Sequence, residues 1–218
     1  MKELKMKIEI WSDVVCPFCY IGKRHFEEAI ENFSETEFLE IEWKSYQLNP
    51  NSQPNPKDDA YTYLAETKQK SLDWSISAHQ QITEMAAQSG LEFRFDIAKP
   101  ANTLLAHRFL QLAKTKNLGD DAEEALFKAY FTEGKNLNQF EEIVKIGQEI
   151  GLNTDPLKDE NAFVAEVRKD IYEAQQLGIN SVPMFVFDNK YGVSGAQPVE
   201  AFTSTLEKAF SEWENINL

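Results

Sequence analysis

Residues 8–26 read Ile8-Glu9-Ile10-Trp11-Ser12-Asp13-Val14-Val15-Cys16-Pro17-Phe18-Cys19-Tyr20-Ile21-Gly22-Lys23-Arg24-His25-Phe26, an extended stretch, a spaced cysteine pair and the start of a helix. Ile8, Ile10 and Val14 mark a short extended stretch rich in β-branched residues. A helical run follows Cys16-Pro17-Phe18-Cys19. Pro17 suits the first helical position, where its missing N–H costs nothing. Cys16 then falls at the N-cap, and Cys19 lies one turn on, three residues away on the same face. A thiol at that end meets unpaired backbone N–H groups and the positive end of the helix dipole. Both favour thiolate, and cysteines so placed have pKa values of roughly 3.5–7.5. The thiolate is the nucleophile, and a second sulfur one turn away can close a ring and release what the first has captured.

Two other readings of the pair are weaker. A structural disulfide does not suit a reducing compartment. Zinc usually needs four ligands, and the chain holds two cysteines and three histidines, His25, His79 and His107. Nine helical steps of about 100° put His25 half a turn of azimuth from Cys16, so no metal site is expected. Strand, CxxC and helix in that order favour a thioredoxin-like redox site. With 218 residues, 42% of them hydrophobic, the chain has enough material for a sizeable core without staples. A net charge of −14 opposes binding to nucleic acid or to an anionic membrane. No stretch approaches the ~20 apolar residues of a membrane span, and the first residues carry charge without an apolar leader region. A cytoplasmic protein is expected.

Residues 7–11 and 38–46 read as strands flanking a helix over 17–33, a βαβ unit with a parallel pair. Residues 47–56 hold three prolines and three asparagines and read as a loop and domain boundary. Only helical patterns follow, from about 58 to 178. Asp58 or Asp59 caps the first, and Ser71 or Asp73 starts a second with His79 on its apolar stripe. Asn102 caps a third that Gly119 breaks. Patterns over 121–132, 138–150 and 159–176 come next. The apolar strand 184–187, a turn at Asp188-Asn189 and its partner 191–194 form a hairpin. Pro198 opens a last helix through about Trp213.

Val182-Pro183 precedes that hairpin. Either Pro183 is an ordinary trans proline at a strand start, or the bond is cis, which for X–Pro costs only about 0.5–1 kcal/mol and here turns the Val182 backbone outward beside the cysteines. A substrate peptide can pair with such backbone as an added strand. Phe18 and Tyr20 either form an apolar rim that meets unfolded substrate or pack between the domains. Asp13 either relays a proton to buried Cys19 or caps a turn. His107 and Arg108 either line a cleft or serve as a packed interface residue and a surface cation. His25 is expected on the surface.

The chain resembles the DsbA-like thioredoxin-fold oxidoreductases, and within them the FrnE-like subfamily. The matching residues are Ser12-Asp13, Cys16-Pro17-Phe18-Cys19-Tyr20, Gly22 and Leu48-Asn49-Pro50. They continue with Asn102-Thr103-Leu104, Ala106-His107-Arg108, Ala129-Tyr130-Phe131, Glu133-Gly134, Val182-Pro183, Phe185-Val186 and Ser194-Gly195-Ala196-Gln197. The resemblance implies an α/β thioredoxin fold with an inserted all-helical domain. The thioredoxin-like part is expected at 1–56 and 157–218, and the insertion at 57–156. It implies a protein disulfide oxidoreductase or isomerase in which Cys16 attacks, Cys19 resolves, and Val182-Pro183 is the cis loop. Phe18, Val182 and His107 are the candidate substrate contacts. No metal or organic cofactor is implied. The partners are thiol- or disulfide-containing proteins, with glutathione as a possible co-substrate. The pair between the cysteines lacks the histidine of DsbA itself, which removes one contribution to thiolate stability. A related branch, the kappa-class glutathione transferases and 2-hydroxychromene-2-carboxylate isomerases, carries serine in place of the first cysteine. It supplies the alternative of a glutathione-dependent isomerase or transferase acting on a small aromatic substrate in the interdomain cleft.

Overall fold

The computed structural model describes residues 4–54 and 58–217. Strand β1 (Met6–Ser12), helix α1 (Pro17–Glu31) and strand β2 (Leu39–Ser45) form the expected βαβ unit. β1 and β2 are parallel, with Ile8 opposite Ile41. Six helices follow: α2 (Ala60–Lys68), α3 (Leu72–Gln88), α4 (Leu104–Lys114), α5 (Gly119–Phe131), α6 (Phe140–Glu149) and α7 (Val164–Gln176). The chain then returns to the sheet with β3 (Met184–Phe187) and β4 (Tyr191–Ser194), and closes with α8 (Val199–Asn217).

The sheet order is β2-β1-β3-β4, with β3 antiparallel to both β1 and β4. This is a thioredoxin fold with a helical insertion. Asp188 and Asn189 both adopt positive φ, which suits the strand twist, in the turn that leads from Phe187 to its partner Tyr191. β1 is central and covered on both faces, which is why Ile8, Glu9, Ile10, Trp11 and Ser12 are buried in succession rather than alternately. On one face α1 and α8 bring Phe26 against Phe185 and Phe202, at 5.2 and 5.9 Å between ring centroids. On the other, α7 offers Asp170, whose carboxylate accepts the Ser45 N–H at 2.9 Å and whose carbonyl accepts the Trp11 indole N–H at 2.9 Å.

Asp59 and Ser71 are the caps of α2 and α3, accepting the backbone N–H of Thr62 and Trp74. Four expectations shift. Gly119 opens α5 instead of breaking a helix. The reversal is made by Asn117 in the left-handed region, and Asp120 and Asp121 then sit in the first turn, where the dipole favours them. The cap residue of α4 is Thr103, with the Asn102 carboxamide accepting the Leu104 N–H. α7 begins at Val164, not near 159. Arg108 donates to the carbonyls of Leu157, Asp159 and Ala162 and holds that segment out of the helix, so Arg108 is a buried clamp and not a surface cation. Among the described residues no helix is long and apolar enough to cross a membrane.

Candidate active site

Cys16 is the N-cap of α1, in extended conformation, with Pro17 next. Its N–H donates to the Asp13 carbonyl at 2.8 Å, and its own carbonyl accepts the Cys19 N–H at 3.0 Å. This first turn sets the two sulfurs on one face as hydrogen-bonding neighbours, and both are free thiols. Cys16 keeps 4% of its surface and Cys19 none. Burial pushes the Cys19 thiol well up, and the Cys16 sulfur adds to it. The Val182–Pro183 peptide bond is cis, and the Cys16 thiol reaches the Val182 carbonyl at 3.5 Å. Gly22 lets α1 approach this loop, for a Cβ there would stand 3.2 Å from the Pro183 ring.

A cavity of about 380 Å³ opens beside Cys16. Phe18 and Val182 edge it, and Leu64, Phe95 and Tyr130 from the helical insertion form its apolar wall. Phe18 is exposed. Tyr20 is not on the rim: it is buried, stacks on Phe127 at 4.7 Å and donates to Glu124 at 2.7 Å. His79 lies on the cavity wall with Nδ1 on the Ser75 carbonyl at 2.8 Å, and burial lowers its pKa, which keeps it neutral. His107 is fully buried behind the wall. Its Nε2 lies 3.3 Å from Asp13. Burial works most strongly against its charge, but Asp13, Glu123 and the Tyr46 backbone together outweigh burial and the pKa is raised. His25 is half-buried instead of exposed, bridging Ser89 and the Gln197 carbonyl. A separate open groove of about 560 Å³ beside it is lined by Glu27, Glu28 and Glu31 and holds neither cysteine.

Beneath the sulfurs lies a buried polar layer. Asp13 accepts the Leu48 N–H at 2.7 Å and so fastens the loop at the cavity mouth. The Ser12 hydroxyl is within hydrogen-bonding reach of the Cys19 sulfur and donates to Glu123 at 2.6 Å. Glu123 comes from α5 and is fully buried, and burial pushes its pKa up to about 7. Sequence reading passed over Glu123: a glutamate among the acidic residues opening a helix looks like a solvated face. Its partner lies 111 positions away, which no local pattern signals.

A family model for the DSBA-like thioredoxin domain matches residues 7–207. The chain belongs to the DsbA-like thioredoxin-domain family. It is 29% identical over 214 residues to the uncharacterized protein YwbO of Bacillus subtilis, spanning 96% of this chain and 98% of that one. The crystal structure of a probable DsbA oxidoreductase from Streptomyces coelicolor is 34% identical, with a TM-score of 0.88, over 95% of this chain and 91% of the other. The cytosolic disulfide reductase DsbM of Pseudomonas aeruginosa, solved with GSH, shares the fold at 14% identity. Its TM-score is 0.61, over 96% of this chain and 98% of that one. In this DsbA-like chain the cysteine pair and the cis-prolyl loop meet at the mouth of an apolar cavity.

Proposed function

We propose that the protein is a thiol–disulfide oxidoreductase of the FrnE-like kind that works through Cys16 and Cys19. The observation that carries this reading is the pair of free thiols on the first turn of α1, with Cys16 against the Val182 carbonyl. The Cys16 thiolate attacks one sulfur of a substrate disulfide, forming a mixed disulfide and expelling the other sulfur as thiolate. Cys19, as thiolate, then attacks the Cys16 sulfur. The mixed disulfide breaks, the Cys16–Cys19 bond forms and the substrate leaves reduced by two electrons. Run backward, the same steps oxidise a dithiol. No metal or organic cofactor takes part.

The Val182 backbone pairs with the substrate main chain as an added strand. Phe18 and the cavity receive an apolar group next to the reacting sulfur. A reducing compartment, the cytoplasm, suits a chain whose two cysteines are both at the site. Glutathione serves as thiol co-substrate, a reading supported by the fold shared with the DsbM structure holding GSH.

Cys16→Ser is expected to abolish insulin reduction and thiol oxidation, and Cys19→Ser to accumulate mixed disulfides with protein partners. Full activity in Cys16→Ser overturns the mechanism. The size and apolar lining of the cavity favour one second reading, a glutathione-dependent isomerase or transferase on a small aromatic substrate. That reading requires turnover to survive with both cysteines replaced by serine.

A further inference from the structure

We infer that Glu123, supplied by the helical insertion, is the proton acceptor for Cys19, reached through the Ser12 hydroxyl. The inference rests on the reading of Cys19 as the resolving thiol. Cys19 has no exposed surface, so solvent cannot take its proton when it must become a nucleophile. The polar groups that bear most on its sulfur are Cys16, the Asp13 main chain and the Ser12 hydroxyl. Cys16 is tied up in the mixed disulfide at that moment. The Asp13 carboxylate is committed elsewhere, one oxygen to the Leu48 N–H at 2.7 Å and the other to His107 at 3.3 Å. Ser12 leads onward, since its hydroxyl donates to Glu123 Oε1 at 2.6 Å. Glu123 Oε2, also buried, has no hydrogen-bond partner among the described residues. A buried carboxylate left half-satisfied is costly, and its place beneath the cysteines calls for an explanation.

The transfer balances. The Ser12 hydroxyl proton moves to Glu123 Oε1 as the Cys19 thiol proton moves to Ser12 Oγ. The new Ser12 O–H then points at the Cys19 thiolate, which attacks the Cys16 sulfur and displaces the substrate thiolate. In the reverse direction, Cys19 leaves as thiolate and takes the proton back by the same path. The surroundings poise the acid for both directions. Burial raises the Glu123 pKa most and the Asp13 charge adds to it, while the Ser12 hydrogen bond, His107 from α4 and Lys23 from α1 lower it, and the balance stands at about 7. A base near ambient pH accepts and returns a proton with comparable ease.

Dithiodipyridine separates the steps in the intact protein. Cys16 releases one equivalent of coloured thiopyridone on attack, and Cys19 releases a second on ring closure. In the wild type, the rate of the second release should rise with pH and level off above an inflection near the Glu123 value of about 7. In Glu123→Gln the second release should slow by about tenfold or more and lose that inflection, rising steadily into the alkaline range. The first release should be unchanged. Glu123→Asp should recover part of the rate, and Ser12→Ala should slow the same step. A second release in Glu123→Gln with the wild-type rate and profile overturns the inference. Should that variant fail to fold, a wild-type profile without the inflection, or a Ser12→Ala protein with an unchanged second release, overturns it equally. Loss of the first release in the wild type would instead strike at the role given to Cys16.

Discussion

Gly134 shows how one residue shapes the cavity from outside it. It adopts φ +64°, and a Cβ there would stand 2.8 Å from the Ile97 carbonyl oxygen. The left-handed backbone costs an L-residue roughly 1–2 kcal/mol, and the clash adds to it. Ile97 belongs to the segment that ties back to α5 through the Arg94 N–H on the Phe131 carbonyl, and Phe95 of that segment lines the cavity. Gly134→Ala should therefore lower stability by about 2–4 kcal/mol, the sum of strain and overpacking, read as a lower urea midpoint at unchanged slope. An unchanged midpoint would mean that the segment yields freely. At this scale the site was half legible. Cys16, Pro17 and Cys19 declare themselves because their chemistry is set within one helical turn. Glu123 and Ser12 act only as a pair joined across the fold, so neither can be recognised from its neighbours in sequence.

Helices and strands were legible where apolar spacing and caps agree. Asp59 and Ser71 cap where a short polar side chain precedes a helical pattern, and the βαβ unit and the hairpin follow from alternation and turn chemistry. The start of α7 was not legible, because Arg108 of α4 decides it by occupying three carbonyls of the segment ahead of it. Such a boundary is a tertiary effect that overrides local pattern. The cap of α2 permits a test at this scale. Asp59 accepts the Thr62 N–H at 2.8 Å, and α2 carries Ala60, Tyr63 and Leu64 to the cavity. Asp59→Ala should cost about 1 kcal/mol in chemical denaturation. It should raise KM for disulfides flanked by apolar side chains while leaving the alkylation rate of Cys16 unchanged. Equal KM values for apolar and polar substrates in both proteins would separate α2 from substrate binding.

For the whole molecule, the buried layer beneath the sulfurs links folding to pH. The folded pKa of Glu123 is raised from 4.5 to about 7. A raised folded pKa contributes stability that is fully present below the unfolded value and lost as pH rises through the folded one. Between about pH 4.5 and 7 the protein should thus lose on the order of 3 kcal/mol from this group. His107 acts in the same sense from its ordinary value of 6.5 upward, because its folded pKa is also raised. Glu42 works in another window. Burial opposes its charge, but Lys114, Lys7 and Lys44 together outweigh burial and hold it at about 2, so its contribution is lost only as pH falls from 4.5 toward 2. Glu123→Gln keeps an acceptor for Ser12 and removes the titration. The variant should be no more stable than the wild type near pH 4.5, and should overtake it progressively toward pH 8, as followed by urea unfolding across that range. A constant difference between the two proteins would mean that Glu123 folds in its ordinary ionised state. A growing difference identifies a carboxylate whose ionised form burdens the fold at neutral pH, in the same range where the Cys19 step calls for it.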